Sequence, residues 1–138
     1  MSLEHETTAS NLQMARRYLL AVEGGASCDA LRQFFAPEVV QEEFSNRVCA
    51  QGAKRDLGAI LAAAERGQRV MAKQRYEIRK EMADENKVAL EVFWEGTLAI
   101  PFGTLPAGGT IRAHLAIFLE FRGGKIVRQR NCDCYEPW

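Results

Sequence analysis

Gly123-Gly124 stands between two runs rich in β-branched and aromatic residues, 110–121 (TIRAHLAIFLEF) and 125–135 (KIVRQRNCDCY). Glycine takes positive φ without steric cost, and both central residues of the tightest hairpin turns need it. The pattern predicts a long β-hairpin in the last third of the chain. If the two glycines form the whole loop, Arg122 pairs with Lys125 and His114 faces Asp133. Directly opposed residues hold their Cβ atoms ~5 Å apart on one face of a sheet. A shielded imidazole against a carboxylate is a proton-transfer device. In this register Gln129, Asn131 and Asp133 point the same way as His114, Ala116 and Phe118. A three-residue loop instead puts His114 opposite Cys132 and sends Asp133 to the other face.

The remaining composition narrows the possibilities. The chain has 138 residues, 47% hydrophobic and 26% charged, enough for one domain with a real core. Eighteen basic side chains balance eighteen acidic ones, so nothing favours a nucleic-acid partner. No apolar run is long enough to cross a membrane. The start, MSLEHETTAS, is polar and lacks a signal-peptide core, so the expected location is cytoplasmic. Residues 1–10 read as a disordered tail and 11–138 as a single domain. Cys28, Cys49, Cys132 and Cys134 form no CxxC pair, and His5 and His114 lie far apart. They read as free thiols, with no metal site. The chain has no P-loop, GxGxxG or HExxH, so no cofactor is expected.

From Asn11, Leu12, Ala15, Tyr18, Leu19 and Val22 recur at helical spacing until Gly24-Gly25. A short helix is predicted over 29–35, stopped by Pro37, then a strand over 39–44 and a second long helix over 54–68. Strands follow over 72–82 and 87–100, a loop with two prolines and three glycines over 101–109, and the terminal hairpin. Helices first and antiparallel strands later indicate an α+β fold.

This order, with the segments ARRYLLAVEGGASCDALRQFFAPEVVQEEF, VALEVFWEGTLAIPFG and FLEFRGGKIVRQRNCDCYEPW, resembles the SnoaL-like polyketide cyclase family. That family belongs to the nuclear-transport-factor-2-like (NTF2-like) superfamily, which also holds the ketosteroid isomerases. The resemblance covers residues 11–135. It implies a cone, in which a curved antiparallel sheet wraps around helices and leaves a pocket open at one end. It also implies a homodimer through the outer sheet face. By the same resemblance, Tyr18 takes the place of the isomerases' tyrosine oxyanion donor. Glu43, with Glu42 one residue off, takes the place of their general base. The isomerases' second oxyanion acid falls at Ala116-Ile117, which holds no acid. The cyclases use an Asp and a His in the terminal strands. His114 and Asp133 are similar in kind, although the family aspartate aligns nearer Asn131.

The expected catalytic residues are therefore Asp133, His114, Glu43 and Tyr18. Phe35, Phe44, Trp94 and Phe118 would contact a flat apolar ligand, and Gln129 and Asn131 would supply polar contacts. The expected function is a cofactor-independent acid–base enzyme. It would move a proton next to a carbonyl of a small molecule, by aldol cyclisation or isomerisation. The alternative is a non-catalytic binding or dimerisation module of the same fold. A homodimer is expected in either case, because residues 87–100 carry Val88, Leu90, Val92 and Trp94 on one side and Ala89 and Phe93 on the other.

Overall fold

The computed structural model describes the backbone of residues 3–138 and the side chains from residue 7 onward. The chain runs α1 (Leu3–Glu23), α2 (Cys28–Arg32), β1 (Phe35–Glu43), β2 (Ala53–Arg55), α3 (Leu57–Val70), β3 (Met71–Asp84), β4 (Lys87–Leu98), β5 (Thr110–Arg122) and β6 (Lys125–Tyr135). The helices form where the apolar spacing predicts. Ala15, Tyr18 and Leu19 bury one face of α1, and Gly25 at φ 79° lets the chain turn away. Residues 3–10, expected as a disordered tail, belong to α1 instead. Thr8 and Asn11 donate to the Glu85 carbonyl at the β3–β4 turn, which ties this end of the helix to the sheet. The first two residues of the expected tail lie outside the described residues.

Two boundaries differ for identifiable reasons. Pro37 does not stop α2; it sits inside β1, where pairing with β6 jumps from Phe35–Ile126 to Val40–Arg128. A residue without an N–H is tolerated at such an irregularity. The second long helix starts later than predicted, because residues 53–55 pair with β1 as β2. Asp56 then caps α3, accepting from the Ala59 N–H at 2.9 Å.

One curved, unclosed sheet holds all six strands in the order β2-β1-β6-β5-β4-β3. It is mixed and not purely antiparallel as expected, since β1 runs parallel to β6. The alternation in β4 is as read: Val88, Leu90, Val92 and Trp94 are buried inside. The helices cover this concave face. Leu19, Leu31, Phe34, Ile60 and Leu61 pack on Leu90, Val92, Ile117, Leu119 and Ile126. A second cluster, Trp94, Leu98, Ile111 and Ala113, lies toward the other end, against Phe102, Leu105, Tyr135 and Trp138.

Candidate active site

The two-residue Gly123-Gly124 turn forms as read, with φ of 59° and 78° and Arg122 opposite Lys125. The register does not survive one step beyond Phe121–Ile126. Val127 is an extra residue, and the next pair is Glu120–Arg128. Such a bulge shifts every later residue by one and exchanges the faces. His114 therefore faces Cys134, and Asp133 faces Leu115. The expected His114–Asp133 pair does not form. His114 lies on the outer face, 3.2 Å from Glu136 and with its ring 5.3 Å from that of Phe93. Phe118, expected as a ligand contact, is also on the outer face, 39% exposed beneath the Arg130 guanidinium.

Gln129, Asn131 and Asp133 share the inner face, as expected of a pocket floor, but their neighbours on β5 are Leu119, Ile117 and Leu115 and not Phe118, Ala116 and His114. The sheet sets them in successive rows. Arg55, Gln41, Gln129, Leu119 and Val88 form one row. Glu43, Asn131, Ile117 and Leu90 form the next. Asp133, Leu115, Val92 and Ile78 follow, and the row beyond is Tyr135, Ala113, Trp94 and Tyr76. A polar column thus runs down β6, flanked by apolar β5 on one side and by β1 and β2 on the other. The small side chain of Ala113 lets Tyr135 and Trp94 meet edge to face, 6.2 Å apart.

Most of the column's hydrogen-bonding capacity is used internally. Gln129, 2% exposed, accepts from the Tyr18 hydroxyl at 3.2 Å and from Gln41 Nε2 at 3.1 Å. Its own Nε2 donates to Asn131 Oδ1 at 3.2 Å. Glu43 is the inward residue of the Glu42/Glu43 pair; it meets Arg55 at 3.0 Å and accepts from Asn46 at 2.8 Å. Tyr18 lies in the main core, edge-on to Phe35 at 5.5 Å, and burial pushes its hydroxyl up to about 12. Phe35 is buried there too, and Phe44 is 40% exposed at a 350 Å³ surface cavity beside Glu43.

Asp133 is the exception. Its Oδ1 is out of reach of water and has no hydrogen-bond partner among the described residues. Burial, then the Glu43 charge, raise its carboxyl to about 6, against the opposing pull of Arg55. Tyr76 and Tyr135 lie close enough that its charge, added to their burial, holds both phenols above their ordinary range. The open end of this row is covered by the chain terminus. Trp138 packs on Tyr135 and Phe102 at 5.8 and 6.4 Å, and Arg47 stacks on Trp138 at 3.8 Å.

Arg55, Tyr76 and Tyr135 were not anticipated. Tyr135 was within reach, since it alternates with Asp133 on one strand. Arg55 precedes a helix cap and carries no local sign of facing inward. No group of three His, Cys, Asp or Glu side chains among the described residues is placed to hold a metal ion.

Residues 15–129 match the sequence profile of the family described as SnoaL-like domain. No curated protein matches the chain. Among solved structures, AclR, a candidate hydroxylase from Streptomyces galilaeus, superposes with a TM-score of 0.78 at 21% identity, over 94% of this chain and 82% of its own. IdmH, a candidate polyketide cyclase from Streptomyces antibioticus, gives 0.75 at 20% identity, over 89% and 91%. A protein of ketosteroid isomerase-like fold from Catenulispora acidiphila, in complex with trimethylamine, gives 0.69 at 17% identity, over 87% and 84%. At these identities the likeness establishes the fold, which is NTF2-like.

Proposed function

We propose that this chain, which belongs to the SnoaL-like domain family, is an acid–base enzyme acting on a small, mostly apolar carbonyl compound. The observation that carries this reading is the Asp133 carboxylate on the inner face of the sheet, whose Oδ1 has no partner among the described residues. A base works best when its pKa lies near the working pH, and about 6 is close to that range. Asp133 takes the proton from the carbon beside the carbonyl. The electron pair moves to the carbonyl oxygen, and the resulting enolate either attacks a second carbonyl in the same molecule or is reprotonated elsewhere as a double-bond shift. Asp133 then returns the proton. Asn131 is the oxyanion donor: its Oδ1 is occupied by Gln129, which leaves its amino group to donate. Glu43 and Arg55 act as a fixed ion pair that supports the column, and His114 has no part in the reaction.

The polyketide cyclase reading of IdmH and the ligand held by the Catenulispora protein support a small-molecule role for this fold. A cytoplasmic homodimer, closed through the outer sheet face, is part of the proposal. No helix among the described residues is long and apolar enough to cross a membrane. Deuterium exchange at the α-carbon of cyclohexyl methyl ketone in D2O, followed by proton NMR, tests the reaction. The protein should accelerate exchange, and Asp133→Asn should lower the rate by roughly 100-fold or more. Exchange no faster than in buffer would leave the binding-module alternative.

A further inference from the structure

Trp138 closes the end of the sheet toward which Asp133 lies, and little of the backbone holds it there. Past β6, the Glu136 N–H still donates to the Arg112 carbonyl at 2.8 Å. Pro137 has no N–H to give. Among the described residues, side chains fix Trp138. Its indole packs on Tyr135 and Phe102 at 5.8 and 6.4 Å. The exposed Arg47 guanidinium stacks on the indole at 3.8 Å and donates to the Trp138 backbone oxygen. The loop that carries Arg47 is braced. Asn46 donates to Glu43 at 2.8 Å and accepts from the Val48 and Cys49 N–H groups at 2.9 and 2.8 Å. The Gly52 N–H donates to the Cys49 carbonyl at 3.0 Å. A strap held by ring contacts and one exposed arginine, set against a braced loop, is the part that opens at least cost.

Beneath the strap lies a carboxylate that gains from water. Tyr135, on which Trp138 packs, is two residues along β6 from Asp133 and on the same face. Burial, then the charges of Asp133 and Glu43 and the Cys49 thiol, hold its phenol above the ordinary range, so the ring lies between Asp133 and the 44–52 loop. The groups facing Asp133 leave its charge unrelieved. Glu43 of β1 and Arg55 of β2 pair with each other at 3.0 Å. Tyr76 of β3 and Tyr135 stay protonated. From α1, Tyr18 donates to Gln129 and Glu23 accepts from the Tyr76 N–H. The rest of its own row is Leu115, Val92 and Ile78. Its Oδ1 is closed to water and has no partner among the described residues. Ionising a carboxyl in that state is costly, and hydration relieves the cost.

We propose that Trp138 is a latch fastened on Arg47, that its release opens the way to Asp133, and that ionisation of Asp133 favours the release. The proposal rests on the reading of Asp133 as the base of the reaction, and it says how a substrate reaches a carboxyl that the closed structure shields. The direction with pH follows from linkage. Closed, the carboxyl titrates at about 6; open and hydrated, it returns toward its ordinary 3.8. Below the lower value it is protonated in both states, and above the upper value it is ionised in both. Between them the open state is favoured progressively, by up to roughly 100-fold. His114 also touches this segment, 3.2 Å from Glu136 on the outer face, so its titration must be separated from that of Asp133.

NMR relaxation dispersion of the Trp138 indole N–H, identified by its loss in Trp138→Phe, reads the opening. In the unmodified protein the open fraction should rise by roughly tenfold or more from pH 4 to pH 7.5. Asp133→Asn should remove the rise, and His114→Gln should keep it. Arg47→Ala unfastens the strap, with the fold checked by circular dichroism. Carbon-13 NMR should then show the Asp133 carboxyl titrating about one pH unit or more lower than in the unmodified protein. A Trp138 signal without exchange at either pH would overturn the proposal. So would a rise that survives Asp133→Asn or is lost in His114→Gln, or an Asp133 titration that Arg47→Ala leaves in place. The ketone exchange assay separates these failures from that of the proposed reaction. Asp133-dependent exchange beside a static Trp138 defeats only the latch. A latch that responds as described, without ketone exchange, defeats only the carbon-acid chemistry.

Discussion

Asp133 and Gln129 stand four residues apart on one strand face, with Asn131 between them, and their polar atoms meet opposite fates. Both polar side-chain atoms of Gln129 are engaged, whereas Asp133 keeps an oxygen with no partner among the described residues. The carboxyl of Asp133 is raised from 3.8 to about 6, so the folded state holds its proton more tightly than the unfolded chain does. Stability therefore falls as pH rises from about 4 to 6, and the cost is fully present above 6. Asp133→Asn should raise stability by about 1–2 kcal/mol at pH 8, a value reduced for the partial exposure of the side chain. The gain should vanish below pH 4, as thermal unfolding followed by circular dichroism will show. Gln129→Leu acts in the other direction. It strips the acceptor from Tyr18 and Gln41 and the donor from Asn131, at roughly 1–3 kcal/mol for each buried group left unmet. The three share one network and will not add, so the expected loss in urea denaturation is about 3 kcal/mol. Tyr18→Phe, which leaves Gln129 its bond from Gln41, should cost about 1 kcal/mol.

At the scale of the element, one inserted residue in β6 decides which chemistry faces inward. Without the bulge at Val127, Arg128, Arg130 and Cys132 would point into the core and Asp133 would lie on the outer face. β4 shows the complementary device, a missing side chain. Gly96 leaves the space in which the Trp94 indole rests, with Met71 Sδ 2.9 Å from where a Cβ would stand. Gly96→Ala must push the ring away, because the strand backbone has neighbours on both sides and cannot yield. The expected cost is roughly 1–3 kcal/mol. The emission of Trp94, measured with Trp138→Phe to remove the second indole, should shift as the ring moves. Unchanged emission and stability would mean that the ring is not packed against this glycine. The 101–109 loop, with its two prolines and three glycines, has a bridge between Phe102 and Leu105, and both of those residues pack on the Trp94 cluster.

For the molecule as a whole, the sheet has one face covered by helices and one uncovered. The uncovered face exposes Met82 (73%), Val40 (44%) and Phe118 (39%). A 570 Å³ groove runs over Met82, Ala89 and Phe118, rimmed by Lys87, Arg128 and Arg130. Apolar side chains set among charges in this way suit a second copy of the chain. Sedimentation at micromolar concentration should give the mass of two chains, and Phe118→Glu should shift it toward one. A wild-type monomer would refute the dimer.

What the sequence determined by itself was local. The period of α1 and α3, the alternation of β4 and the Gly123-Gly124 turn each depend on residues a few positions apart. The α+β order and the family follow from them. Asp133, Asn131 and Gln129 could be seen to share a face because a strand alternates strictly. Which face that was, and what met it there, depended on pairings between distant segments. The parallel contact of β1 with β6, the extra residue at Val127 and the return of β2 bring Glu43 and Arg55 beside Asp133 and carry His114 away. A bulge is stabilised by the packing of the whole sheet and not by the residues that form it. Its position, and with it the face that Asp133 occupies, was settled only when the curved sheet packed onto the helices.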